Sequence, residues 1–155
     1  MERSPLRVGV RVDDVTAAVR FYGGFGFAPV GTVPGPDGEP VFAILRKADS
    51  QLMVDAAEGM PFPDTERERQ VLAGPRGLGV VIGLVVDDVD ATHAYCAAQG
   101  CAITCEPMDE VWGDRVFMCL DPFGYEWEFF QPIADIDASA GLAAVRESWF
   151  GPAES

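Results

Sequence analysis

The chain has 155 residues, 48% of them hydrophobic and 23% charged, with 11 basic against 25 acidic residues and a net charge of −14. That composition excludes a disordered chain, and at this length folding buries roughly 68–70% of the unfolded surface. The acidic balance argues against nucleic acid as a partner, because that binding neutralises phosphates with Lys and Arg. It draws cationic ligands, although its plainest meaning is solubility. No apolar run reaches the roughly 20 residues of a membrane span. The start, Met1-Glu2-Arg3-Ser4-Pro5, has no apolar signal core, so a cytoplasmic chain is expected.

In chain order, an apolar strand over Leu6–Val12 runs into Asp13-Asp14. Acids here suit a helix N-terminus, where they cap amides and oppose the dipole. A helix is predicted over about 14–23, stopped by Gly23-Gly24, then strands over about 27–33, 40–46 and 51–55. The connector holds a short helix with Thr65 and Glu68 as a capping box and Gly74-Pro75 as its stop. A second strand over Val80–Val86 leads to a helix over about 88–98 that ends at Gly100. Strands follow over about 102–107, 115–120 and 125–130, and a last helix over about 137–149.

The two halves repeat each other. Val12-Asp13-Asp14-Val15-Thr16-Ala17 recurs 74 residues on as Val86-Asp87-Asp88-Val89-Asp90-Ala91, with Phe21 matching Tyr95 and Gly26 matching Gly100. Val41-Phe42-Ala43-Ile44-Leu45 lines up 75 residues on with Val116-Phe117-Met118-Cys119-Leu120. A duplication with a single-residue indel explains both registers. The expected organisation is one domain: module one at about 5–57, a connector at 58–76, module two at about 77–131 and a helical tail at 132–155.

Three features have plain readings. Gly23-Gly24-Phe25-Gly26 follows a helix rather than preceding one, so it is a helix stop and not a phosphate loop. Cys101 and Cys105 share a predicted strand, about 13 Å apart, too far for two thiolates each about 2.3 Å from one zinc. With Cys96 and Cys119 they are expected to be small, buried, reduced hydrophobes. His93, the single histidine, falls on the second helix as a surface or helix-face residue.

The run from Trp112-Gly113-Asp114-Arg115 through Asp121-Pro122-Phe123-Gly124 to Glu126-Trp127-Glu128-Phe129 resembles the last hairpin of the glyoxalase/bleomycin-resistance/extradiol-dioxygenase superfamily, the vicinal oxygen chelate proteins. Pro122 sets φ in its turn and Gly124 supplies φ > 0. Phe21-Tyr22 and Gly26-Phe27 resemble the end of that family's first helix, and the resemblance covers roughly residues 6–131. It implies an α+β fold of two βαβββ modules, whose eight strands form a curled mixed sheet around a cleft, with helices outside and a C-terminal helix added. It also implies four metal-ligand positions, here Arg7, Met53, Val81 and Glu128, of which only Glu128 suits the metals those enzymes use. No metal and no cofactor is therefore expected. The chain is most similar to the metal-free bleomycin-resistance branch, whose members sequester a drug in the cleft, usually as dimers.

Strand alternation assigns the cleft. Leu6, Val8, Val10 and Val12 would face the helices, as would Trp127 and Phe129. Arg7, Gly9, Arg11, Met53, Asp55, Val81, Gly83, Trp112, Arg115, Met118, Glu126, Glu128 and Phe130 are the candidate ligand-binding residues. Mixed polarity, small residues and aromatic surface fit an aromatic or cationic small molecule, an antibiotic for example. Arg7–Glu128 as a structural ion pair and Trp112 as a hairpin anchor are the competing readings. The alternative function is a lyase, isomerase or dioxygenase-like enzyme using Glu128, the best catalytic candidate, as base or metal ligand. An accessory module without a small-molecule role is a third. A homodimer is expected from the resemblance, and Leu142, Val145, Trp149 and Phe150 in the last helix clamp onto either the same chain or a second copy.

Overall fold

The structure, a computed structural model, describes residues 4–61 and 65–152; residues 1–3, at the start read above as lacking a signal core, lie outside them. The chain divides into two compact units, residues 1–78 and 79–155. Each contains one βαβββ module.

In the first unit the elements are β1 (Arg7–Val12), α1 (Val15–Gly23), β2 (Ala28–Pro34), β3 (Pro40–Lys47), β4 (Ser50–Ala56) and α2 (Glu66–Ala73). The second holds β5 (Val81–Val85), α3 (Val89–Ala98), β6 (Ala102–Asp109), β7 (Asp114–Leu120), β8 (Glu126–Pro132) and α4 (Ala138–Phe150). The eight predicted strands are hydrogen-bonded as two four-stranded sheets, in the orders β1-β4-β3-β2 and β5-β8-β7-β6. In each, the first and last strands pair in parallel and the others antiparallel. The fold is α+β.

The duplication is visible in the caps. Asp14 accepts from Ala17 N at 2.9 Å, and Asp88, 74 residues on, accepts from Ala91 N at 2.9 Å. Each carboxylate satisfies an amide that the helix leaves unpaired. Beneath α1 lie Val10, Val12, Leu52 and Val54, all buried. Beneath α3 lie Phe117, Trp127 and Phe129, with Phe129 stacked between the other two at centroid distances of 4.8 and 5.9 Å.

Several details differ from the sequence reading. Leu6, expected to pack on the helices, precedes β1 and is 77% exposed. Helix α1 ends at Gly23 with Gly24 as its cap, where the sequence placed the stop, but Gly24 stays right-handed and the left-handed residue is Gly26, at φ +90°. The capping box of α2 is half made: Thr65 Oγ1 accepts from Glu68 N at 3.2 Å, but the Glu68 carboxylate turns to the Arg11 guanidinium instead. An ion pair to a half-buried arginine outweighs a bond to a solvent-accessible amide.

Candidate functional site

The site is built in the second unit, on the sheet face turned away from α3. Alternation along β8 puts Trp127 and Phe129 in the α3 core and turns Glu126, Glu128 and Phe130 to the other side. Cross-strand partners share a face, so Met118 stands beside Glu128, and Val81, Gly83 and Val85 of β5 beside Glu126, Glu128 and Phe130. A Cβ on Gly83 would lie 3.0 Å from the Phe130 ring, which would have to give way.

Over this face the chain lays α4. The Trp112-Gly113 turn is its seat. Gly113 has φ +99°, and a Cβ on it would lie 2.7 Å from Ala134 O. Its own carbonyl accepts from Ile133 N at 2.9 Å and Ala134 N at 3.0 Å. Only glycine permits this crossing. Three residues later Asp137 caps α4, accepting from Ser139 N and Ala140 N at 2.9 and 3.1 Å. Gly141, fully covered, then sits against Trp112, where a Cβ would lie 3.5 Å from the indole-bearing Cβ.

Sheet, turn and helix together border an open pocket of about 600 Å³. Its lining is Trp112, Glu128, Phe130, Ile136, Asp137, Ala138, Gly141, Leu142, Val145 and Trp149. The size is that of a drug-sized ligand site, and the wall is apolar and aromatic around a few polar groups. Partial burial raises the pKa of Glu128, and the neighbouring Glu110 and Glu126 raise it further. A carboxylate crowded by like charge gains from a cation.

Three of the sequence candidates, Trp112, Glu128 and Phe130, meet in this pocket. Glu126, Met118, Val81 and Gly83 share its sheet face without lining it. Arg115 does not belong there: it lies one residue out of phase with Met118 and turns to the α3 side. Its guanidinium spans Asp90 of α3 at 2.9 Å and Asp109 of β6 at 2.7 Å, and its bonds hold the Asp90 carboxyl below the usual range. In the first unit, Arg7, Gly9, Arg11, Met53 and Asp55 occupy the sheet face away from α1, with Gly9 opposite Met53 and Arg11 opposite Asp55. Arg11 pairs with Glu68, and burial raises the pKa of Asp55 despite Arg11 beside it.

The α4 lining escaped the strand-alternation reading, which assigns only strand residues. Gly141, the single glycine inside this helix, was the available signal of a packed face. Intrachain packing of that helix is partial: Val145 is half-buried, whereas Leu142, Trp149 and Phe150 are exposed. His93 is a helix-face residue of α3, whose ring meets Phe117 edge-on at 5.4 Å. Its Nε2 lies 2.9 Å from a Glu106 oxygen, without the alignment of a hydrogen bond.

The family model for the glyoxalase/bleomycin resistance protein/dioxygenase superfamily matches residues 5–129. The chain belongs to that superfamily. An uncharacterized protein of Mycobacterium bovis is 33% identical over 148 residues, covering 90% of this chain and 91% of the relative. Among solved structures, TioX from Micromonospora sp. ML1 superposes with a TM-score of 0.60 at 25% identity, over 82% of this chain and 98% of that one. A bleomycin resistance determinant encoded on transposon Tn5 gives 0.53 at 20% identity, over 83% and 98%; this second likeness shows the fold.

Enzymes of the superfamily imply a divalent metal, and the residues here do not fit one. Of the four ligand positions that the resemblance implies, β1 carries Arg7, β4 Met53, β5 Val81 and β8 Glu128. A guanidinium repels a cation, valine has no donor atom, and a thioether is a poor ligand for hard divalent ions. One carboxylate remains, and Glu110 and Glu126 add negative charge around it.

Proposed function

We propose that this chain is a small-molecule-binding protein that sequesters an aromatic or cationic compound, such as an antibiotic, in the pocket beneath α4, without a catalytic metal. One observation carries the reading: the raised-pKa carboxylate of Glu128 stands in a pocket walled by the aromatic rings of Trp112, Phe130 and Trp149. A flat cation would stack on those rings, gain cation–π energy of about 0.5–2 kcal/mol and neutralise the acid. The net charge of −14 concentrates cations near the surface. The metal-ligand positions support the metal-free half of the reading, and the likeness to a bleomycin resistance determinant agrees with it. The same reading has the chain act as a cytoplasmic homodimer, with the exposed Trp149 and Phe150 of α4 offered to a second copy.

Native mass spectrometry of the purified protein, compared with its denatured mass, tests this. Metal-free protein, empty or with a small organic adduct, is expected. A stoichiometric divalent metal that is lost on Glu128→Gln would overturn it.

The pKa of Glu128 also favours a second reading, a lyase or isomerase in which this carboxylate is the general base. Glu128→Gln would then abolish turnover while substrate still binds.

A further inference from the structure

We propose that Cys96, Cys101 and Cys119 form a three-sulfur site for a soft, thiophilic metal ion of low coordination number, such as Cu(I), on the opposite side of the second sheet from the pocket. The three Sγ atoms all lie within 4.8 Å of one another. Three sulfurs each about 2.3 Å from one ion lie about 4 Å apart, so closure asks for shifts below an ångström. Nothing in this arrangement follows from the family's metal positions, which lie on other strands.

The fold brings the three together by a simple route. Cys96 sits in the last turn of α3, facing the core. Gly100, at φ +79°, reverses the chain, and Cys101 N returns to Cys96 O at 3.0 Å, which folds Cys101 back under the helix end. Cys119 arrives from β7, one strand over, where Ile103 is its cross-strand partner. Cys96 and Cys119 are fully buried, and Cys101 is half-exposed, so it forms the entrance. This corrects the sequence expectation twice. Cys101 lies ahead of β6 rather than on a strand with Cys105, and neither Cys101 nor Cys105 is buried.

The chemistry selects the ion. Among the described residues the group holds three ligands and no fourth His, Cys, Asp or Glu. A closed structural zinc site takes four ligands, whereas soft thiolates select ions such as Cu(I), which accept fewer. The C-terminal end of α3 carries partial negative charge and favours an incoming cation. The three thiols lie close enough to shift one another's ionisation, Cys101 downward and Cys96 and Cys119 upward. Each sulfur–metal bond replaces an S–H bond and releases that proton to water, so affinity rises with pH. No electron is transferred.

The test is an anaerobic titration of the reduced full-length protein with Cu(I), competed by the chelator bathocuproine disulfonate, followed by alkylation of the loaded chain. One Cu(I) per chain should survive competition, and iodoacetamide should label Cys105 alone. Cys105→Ser should keep that stoichiometry. Cys101→Ser, at a half-exposed position that preserves folding, should lose it, with an unchanged melting curve as control. Cys119→Ala should lose it as well. The proposal is overturned if no Cu(I) survives competition, or if Cys101→Ser binds as wild type does. It is also overturned if a Cys101 disulfide, seen as the mass loss of two hydrogens, is the stable state in reduced glutathione buffer.

Discussion

Asp121 accepts the indole N–H of Trp127 on Oδ2 at 2.9 Å, while its Oδ1 accepts the backbone amides of Phe123 and Tyr125, each at 2.9 Å. The carboxylate is buried, and it ties the β7–β8 turn to the largest side chain of the core. The turn holds β8 in register, and β8 carries Glu128 and Phe130 into the pocket. Asp121→Ala should therefore destabilise the protein by about 3 kcal/mol, since it leaves three donors unpaired in the interior. Asp121→Asn keeps the Oδ1 acceptor but points an amide N–H₂ or strands the indole, and should cost about 1–2 kcal/mol. Urea denaturation with an unchanged m-value measures both.

Two glycines of the α4 seat should respond with opposite signs. Gly141 lies inside α4, and a Cβ there meets Trp112 and Ile136 at ordinary contact distances of 3.5–3.9 Å. Gly141→Ala should stabilise the protein by about 0.5–1 kcal/mol through helix propensity. Gly113→Ala drives a Cβ to 2.7 Å from a backbone oxygen at φ +99°. It should cost about 1–3 kcal/mol and loosen α4. Thermal melts of the two variants settle the signs.

Glu128 sets a pH dependence. Its pKa is raised in the folded state, so the fold favours the protonated form and binds more protons than the unfolded chain does. Stability contributed by this group therefore falls as pH rises through its unfolded value, of about 4.3, and its raised folded value. Glu128→Gln should accordingly raise the melting temperature at neutral pH and give no gain below about pH 4. A cation in the pocket binds the ionised form, so its affinity should rise with pH over the same window.

Arg115 lies on the sheet face opposite the pocket. It spans Asp90 and Asp109 on the α3 side. Arg115→Ala should leave ligand affinity unchanged and make stability less sensitive to salt, as the melting temperature across an ionic-strength series will show.

The fold was legible where one rule operates alone. Asp14 and Asp88 announce helix starts, Gly100 and Gly124 announce positive φ, and strand period assigns Trp127 and Glu128 to opposite faces. Long-range geometry was not. Arg115 needed no such geometry: strand period alone sets it on the opposite face from Met118, and placing both in the cleft broke that rule. The α4 wall of the pocket depends on Gly141 meeting Trp112, residues far apart in sequence. The cysteine cluster depends on a turn at Gly100 combined with β6–β7 pairing, and neither alone brings three sulfurs together. Asp121 was readable as a turn residue, but its bond to Trp127 required the hairpin's three-dimensional path.

The pocket is proposed to take an aromatic cation without a metal. A fluorescence titration in excess EDTA tests it most directly, with Trp112 and Trp149 as reporters, proflavine as the planar cation and fluorescein as the planar anion. Saturable quenching by proflavine is expected, with about tenfold weaker binding in Glu128→Gln, equivalent to about 1.4 kcal/mol, and no specific binding of fluorescein. Equal binding of the two dyes, or binding that appears only after a divalent metal is restored, would contradict it.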